Sequence, residues 1–179
     1  HSREEAVSLG ERVIVYDRGR VIAQGEPVTV FGSPRITRVA RLAGVENIFD
    51  GEVVQNNIEG GTLTVKITDG TGERLIEIPP VADLPAGGSK RERVKVAVPP
   101  GDILLAAEEP RRTSARNILR GRITAIEDRA DRVEVRVQSG VVWVVSVTRQ
   151  SVKELGLVKD QEVWLAIKTH SCYLLDREP

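Results

Sequence analysis

The sequence has one cysteine, two residues each of Trp, Tyr and Phe among 179, and no excess of charge, with Lys plus Arg and Asp plus Glu both at 26. Each scarcity excludes something. Cys172 cannot form an intramolecular disulfide, and beside Leu174 and Leu175 it reads as a small buried hydrophobe, which fits a reducing, cytoplasmic setting. Balanced charge removes the electrostatic case for wrapping nucleic acid or binding an anionic membrane, so any basic site must be local. An oligonucleotide-binding barrel needs exposed aromatics on a basic strand face. Here Trp143 and Trp164 lie in apolar strands. His170 has no second histidine or cysteine placed to join it as a metal ligand, so no metal site is expected. No apolar stretch approaches the ~20 residues that span a bilayer, and no signal-peptide pattern opens the chain. The protein reads as soluble, able to dock on a membrane-bound partner.

What is there falls into three stretches. Residues 1–44 alternate helical and strand patterns: a charged helix start at Ser2–Ala6, then strands at 12–16 and 20–24 joined by an Asp17-Arg18-Gly19 turn. Pro27 suits the first turn of a short helix ending near Gly32. Beyond Pro34, Ile36, Val39, Ala40 and Ala43 share one face of a basic amphipathic helix that Gly44 stops. From residue 45 the chain repeats itself at an offset of about 70. Glu46–Val53 parallels Arg116–Ile123, and Val94–Val98 parallels Val163–Ile167. Each copy carries about five short alternating strands. In the second, Val133–Val137 alternates, Ser139-Gly140 is a hairpin turn, and Ser151–Glu154 reads as a capping box opening a helical turn that Gly156 ends. In the first, Gly60-Gly61, Gly70, Gly72 and Ala86–Ser89 read as long or mobile turns. The sequence thus predicts a mainly β protein: a short α/β stretch over 1–44 and two tandem OB-like five-stranded barrels over 45–110 and 111–179. The linker is Glu108–Arg112.

The second copy concentrates one kind of chemistry. Ser114, Ala115, Arg116 and Asn117 form one run, Thr148 to Ser151 a second, and Lys168-Thr169 a third. Together they collect hydroxyls, a guanidinium, an ammonium and a turn after Thr113 whose backbone N–H groups can form an anion nest. Such a set suits a small oxyanion, because fixed donors replace its water shell and positive charge offsets its desolvation. Ser151 ranks below Thr148, since a helix cap would occupy its oxygen. His170 is expected at the rim. The first copy departs from this pattern: Gly44 or Val45 stands for Ser114, Glu46 for Arg116 and Pro99 for Lys168. It reads as a packing partner.

These runs resemble the Mop family of molybdate and tungstate binding domains, whose signature opens with S-A-R-N and continues through T-x-x-S-x-x-x-L-G and I-K segments; related barrels in transporters are transport-associated OB, or TOBE, domains. The resemblance implies a pocket shared between two packed domains, with S-A-R-N and the lysine from one and the T-x-x-S turn from the other. One chain alone would hold half a site. The string H-S-R-E-E-A followed by R-V-I-V-Y-D-R-G-R-V-I-A-Q-G-E-P is similar to the end of an ABC transporter ATPase, beginning at its switch histidine, which would be His1. The G-x-x-x-x-G-K-[ST] loop that such an ATPase needs for ATP and Mg²⁺ is not in this sequence. The implied protein is the carboxyl-terminal, regulatory part of a molybdate or tungstate importer ATPase, itself without catalysis or a tightly bound cofactor. ATP and Mg²⁺ would belong only to the longer parent. A homodimer, permease subunits as partners and a place at the inner face of the cell membrane follow from the same resemblance. The alternative is a ligand-free structural, dimerising module from an importer of another substrate.

Overall fold

The computed structural model describes residues 3–32, 34–80 and 92–176. His1 and the Ala86–Ser89 turn lie outside them. The amino-terminal stretch comprises α1 (Arg3–Leu9), the hairpin β1 (Val13–Asp17) and β2 (Arg20–Gly25), α2 (Pro27–Gly32) and α3 (Thr37–Leu42). Arg18 and Gly19 both take positive φ, 46° and 78°, as a tight two-residue turn requires. An ion pair from Arg38 to Asp17 ties α3 to that hairpin. Gly44, at φ 78°, ends α3 as its spacing predicts, with its N–H bonded to the Arg41 carbonyl.

The first repeat contributes β3 (Asn47–Asn57), β4 (Thr62–Thr68), β5 (Glu73–Ile78), β6 (Arg93–Val98), a 3₁₀ turn at Pro100–Asp102 and the short β7 (Leu104–Ala106). The second contributes β8 (Asn117–Asp128), β9 (Val133–Ser139), β10 (Val141–Val147), α4 (Arg149–Glu154), β11 (Glu162–Ile167), a 3₁₀ turn at Thr169–Ser171 and β12 (Tyr173–Leu175). β-Branched and leucine side chains at every second position make these strands. On β4, Leu63, Val65 and Ile67 are fully buried while Thr62, Thr64 and Lys66 stand at the surface side. The long strands β3 and β8 each carry a register shift, at Val53/Gln55 and Ile123/Ala125, and so curl at the same place in each repeat.

The fold is mainly β, two OB-like barrels each built on a curled five-stranded sheet, in the orders β12-β6-β3-β4-β5 and β10-β9-β8-β11-β7. Those orders contain an exchange. β7 pairs with β11 of the second barrel, Leu105 opposite Leu165, and β12 pairs with β6 of the first, Leu174 opposite Val96. Sheet membership therefore crosses the 110/111 position, because the strand that follows each 3₁₀ turn runs on past its own barrel and completes the neighbour's edge. One hydrophobic core serves both sheets, with Phe49 of β3 edge-on to Trp143 of β10 at a ring separation of 4.8 Å. A second, smaller core seats Val15, Phe31, Val39 and Ala40 of the amino-terminal stretch on Ala97 and Leu175 of the first barrel.

Side chains close the seam between the barrels. β10 and β5 are sheet edges, so half their backbone groups point away from any strand. Asn47 Oδ1 accepts from the Val144 N–H at 2.7 Å, and its Nδ2 donates to the carbonyls of Val144 at 2.8 Å and Val98 at 3.1 Å. Asn117 repeats this on β5: Oδ1 accepts from the Glu77 N–H at 2.7 Å, and Nδ2 donates to the Glu77 carbonyl at 2.8 Å and more weakly to that of Ile167 at 3.4 Å. A carboxamide offers the same donor and acceptor as a peptide, so each asparagine stands in for a missing strand. The Gly70–Gly72 region is a firm contact where the sequence suggests mobility. Asp69 Oδ1 accepts from the Thr71 and Gly72 N–H groups and from the Thr71 hydroxyl, while its Oδ2 accepts from Val142 N–H on β10.

Candidate functional site

The register of β8 against β11 places Asn117 opposite Ile167, so the S-A-R-N run and Lys168-Thr169 emerge side by side at one end of the second barrel. Thr113 Oγ1 accepts the Ala115 N–H at 3.2 Å, a local hydroxyl turn that buries the Ala115 methyl and turns Ser114 and Arg116 outward. That N–H is therefore spent within the turn. The Ser114 hydroxyl and the Lys168 ammonium are exposed and have no hydrogen-bond or ion-pair partner among the described residues. Thr169 is buried, its hydroxyl 3.2 Å from His170 Nδ1, and His170 itself is exposed. Nearby Cys172 is buried; burial first, and the Asp102 carboxylate second, push its thiol up to about 12, so it stays protonated and inert.

Two members of this group are engaged by the first barrel. The Asn117 amide is spent on β5 as described above. Arg116 chelates the Glu77 carboxylate on the same strand, Nε to Oε2 at 2.9 Å and Nη2 to Oε1 at 3.2 Å. The hydrogen bonds that Arg116 donates to Glu77, and then the carboxylate's charge, raise the Arg116 pKa above its ordinary value.

Thr148 and Ser151 lie elsewhere. Val147 pairs with Val133, and Val133 pairs with Asp128, at the end of β8 opposite Asn117. Within one barrel, strand register thus separates the T-x-x-S turn from S-A-R-N and Lys168 by most of the length of a 12-residue strand. The capping assignment is also corrected. α4 begins at Arg149, and Thr148, extended at φ −81°, is its cap, accepting the Ser151 N–H at 3.0 Å. Ser151 sits inside the helix, 2.9 Å from Thr148 Oγ1. The reason is that β10 runs to Val147, which leaves Thr148 as the first residue free to turn.

The T-x-x-S end of the second barrel faces the first repeat's counterpart of the S-A-R-N end. There a cavity of about 380 Å³ is lined by Gly44 at the end of the amino-terminal stretch, by Val45, Pro99 and Asp102 of the first repeat and by Arg132 and Ser146 of the second. Arg132 reaches Glu134 at 3.0 Å, Asp131 at 3.2 Å and Glu46 at 3.9 Å, and Asp102 adds another carboxylate. Prolines without N–H groups and a surplus of carboxylates make this junction a poor host for an anion. The two junctions are built alike, since the 3₁₀ turn at Pro100–Asp102 packs on β10 and that at Thr169–Ser171 packs on β5. Sequence reasoning missed Glu77, Arg132 and the bridging role of both asparagines. One signal was present: Asn47 and Asn117 occupy the same place in the two repeats although the residues before them differ.

Comparison with known proteins agrees with this architecture. Residues 113–174 match the TOBE domain family. The molybdate/tungstate import ATP-binding protein WtpC of Pyrococcus abyssi is 38% identical over 170 residues, which are 94% of this chain and 44% of that protein. The molybdenum import ATP-binding protein ModC of Rhizobium meliloti is 31% identical over 171 residues, 94% of this chain and 45% of its own. The chain therefore spans less than half the length of these relatives. Among solved structures, the cytoplasmic molybdate-binding protein ModG with molybdate bound aligns at a TM-score of 0.55 and 28% identity, across 73% of this chain and 95% of its own. No helix among the described residues is long and apolar enough to cross a membrane.

Proposed function

From a chain that belongs to the TOBE-domain proteins and is related over nearly its whole length to molybdate and tungstate import ATP-binding proteins, we propose an oxyanion-binding regulatory module of such an importer. The observation that carries the reading is the β8–β11 register, which gathers Ser114, Arg116 and Lys168 at one end of the barrel with the serine hydroxyl and the ammonium unspent. Ala115, Asn117 and Thr169 form the floor of that group, and Thr148 and Ser151 supply the complementary turn. Since one barrel holds these two halves at opposite ends, a second copy of the chain brings its Thr148–Ser151 turn to the Lys168 end in a homodimer. A dianion bound only in that paired state stabilises the pairing by its differential affinity, and so biases the attached transport ATPase and its permease partners toward one state. Binding, not bond chemistry, is the activity of this part; ATP and Mg²⁺ act in the longer parent, at the cytoplasmic face of the membrane.

One set of observations favours the ligand-free structural alternative: Arg116, Asn117 and Thr148 each already have a partner within the protein. Calorimetric titration with molybdate, tungstate and sulfate separates the two. The oxyanion reading expects saturable heat with molybdate or tungstate. It also expects a loss on Lys168→Ala that corresponds to about 1.5–3 kcal/mol for a desolvated charge-assisted bond. Arg111→Ala, on the exposed linker, should change affinity by less than about 1 kcal/mol. No heat with either metal oxyanion, or no effect of Lys168→Ala, would leave the structural module as the function.

A further inference from the structure

The Asn117 clamp needs only the backbone of the residue it grips. In the other junction the equivalent clamped residue is Val144, an apolar side chain, so barrel pairing does not call for a carboxylate at position 77. Yet Glu77 is there, and both its oxygens lie on the Nε–Nη2 edge of Arg116, the bidentate face with which a guanidinium grips an anion. Its backbone is pinned on both sides by Asn117 at 2.7 and 2.8 Å, so the carboxylate can swing away without shifting β5. The pair is also accessible, with side-chain exposures of 62% for Arg116 and 28% for Glu77, so water can take over whichever group is released.

Resting on the oxyanion reading above, we propose that Glu77 is a built-in competitor for the ligand, a carboxylate that occupies Arg116 when the site is empty and must give way when a dianion binds. It sets the affinity threshold of the site. Weakly held anions lose to the tethered carboxylate, and only a ligand that also engages Ser114 and Lys168 displaces it. The first barrel thereby tunes a site whose other ligand groups come from the second, which gives the repeat without the pocket pattern a use in controlling it.

The test is molybdate titration of wild type, Glu77→Gln and Glu77→Val, the last reproducing the apolar residue of the other junction. Glu162→Gln is the control: it makes the same charge change on the exposed Arg120 pair at the far end of β11 from Lys168. A full charge beside a dianion at a water-exposed site changes affinity by about tenfold, whereas one beyond a Debye length is screened. Glu77→Gln and Glu77→Val should therefore each bind about tenfold more tightly than wild type, with Glu162→Gln within about twofold. If wild type binds and the Glu77 variants bind equally or more weakly, or if Glu162→Gln gains as much, the competitor role is wrong and the oxyanion reading stands. If neither wild type nor any variant binds, both fail together.

Discussion

Replacing Asn47 with alanine should cost far more than its size suggests, because the lost groups serve a backbone that has nowhere else to turn. Asn47 is 2% exposed and grips Val144, which is 6% exposed in the middle of edge strand β10. The substitution strands one N–H and one C=O of Val144. A buried backbone group left without a partner costs about 1–3 kcal/mol, and removing the asparagine's own desolvation returns part of that, so the net loss is about 2–4 kcal/mol. Asn117→Ala makes the same cut at Glu77, but this residue is only half-buried, so water reaches its backbone and the expected loss is about 1–2 kcal/mol. Against a typical domain stability of 5–15 kcal/mol, both variants stay folded and measurable. Urea unfolding followed by tryptophan fluorescence gives the comparison, since Trp143 sits in the shared core beside this seam. A cost below about 1 kcal/mol for Asn47→Ala, or one no larger than that of Asn117→Ala, refutes the idea that these side chains act as surrogate strands.

Two further outcomes test the same seam. Gly140, at φ 79°, lies so close to the first barrel that a Cβ would stand 2.3 Å from the Glu73 carbonyl oxygen, whereas one on Gly61, at φ 68°, would meet nothing within 4 Å. Gly140→Ala should thus destabilise by more than about 2 kcal/mol and Gly61→Ala by only the left-handed strain of about 1 kcal/mol; equal costs in urea would show that the barrels do not approach as described. For Asp69, partial burial tends to raise the carboxyl pKa, but the hydrogen bond from the Val142 N–H, followed by those from Thr71 and Gly72, outweighs it and holds the group at about 2, against an ordinary 3.8. A carboxyl with a depressed native pKa adds stability above its unfolded value and loses it as pH falls toward the native one. Thermal melts of Asp69→Asn should therefore vary less with pH between about 4 and 2 than those of wild type; parallel profiles would remove Asp69 from the junction.

The fold was readable where a residue's neighbours lie along its own strand. Alternating Leu63-Val65-Ile67 and Val133-Val135-Val137 declare half-buried strands, and the offset repeat declares two of whatever one copy makes. In the sequence, Lys168 and Arg116 are grouped only by their shared chemistry and by the family resemblance; the pairing of β8 with β11 is what leaves both at one end. Partners across the seam were not readable. Glu77 on Arg116 and Asp69 on Val142 are set by how two barrels dock, and no periodicity within either barrel encodes that angle. The cap is ambiguous by one helical turn in the sequence, where Thr148 and Ser151 are both good capping residues; only the length of β10 decides between them. The turn at Gly70–Gly72 looked loose because glycine is common in mobile segments, yet here the missing Cβ is what lets two backbones touch.

The reciprocal exchange of β7 and β12 makes the pair of barrels a unimolecular assembly. Two separate chains that traded strands in this way would fall apart on dilution, but here the covalent linker holds each repeat at a high and constant effective concentration for the other. Neither barrel has a complete sheet until the whole stretch from β3 to β12 has left the ribosome. A cut anywhere in Glu108–Arg112 would then be silent while the two parts stay together and ruinous once they separate. The last strand also bears load. β12 lies along β6, and the Asp176 N–H reaches back to the Arg35 carbonyl at 2.6 Å, so tension applied past Asp176 passes first into the first barrel and the stretch before it. A pull applied beyond β12 is felt as far back as Arg35.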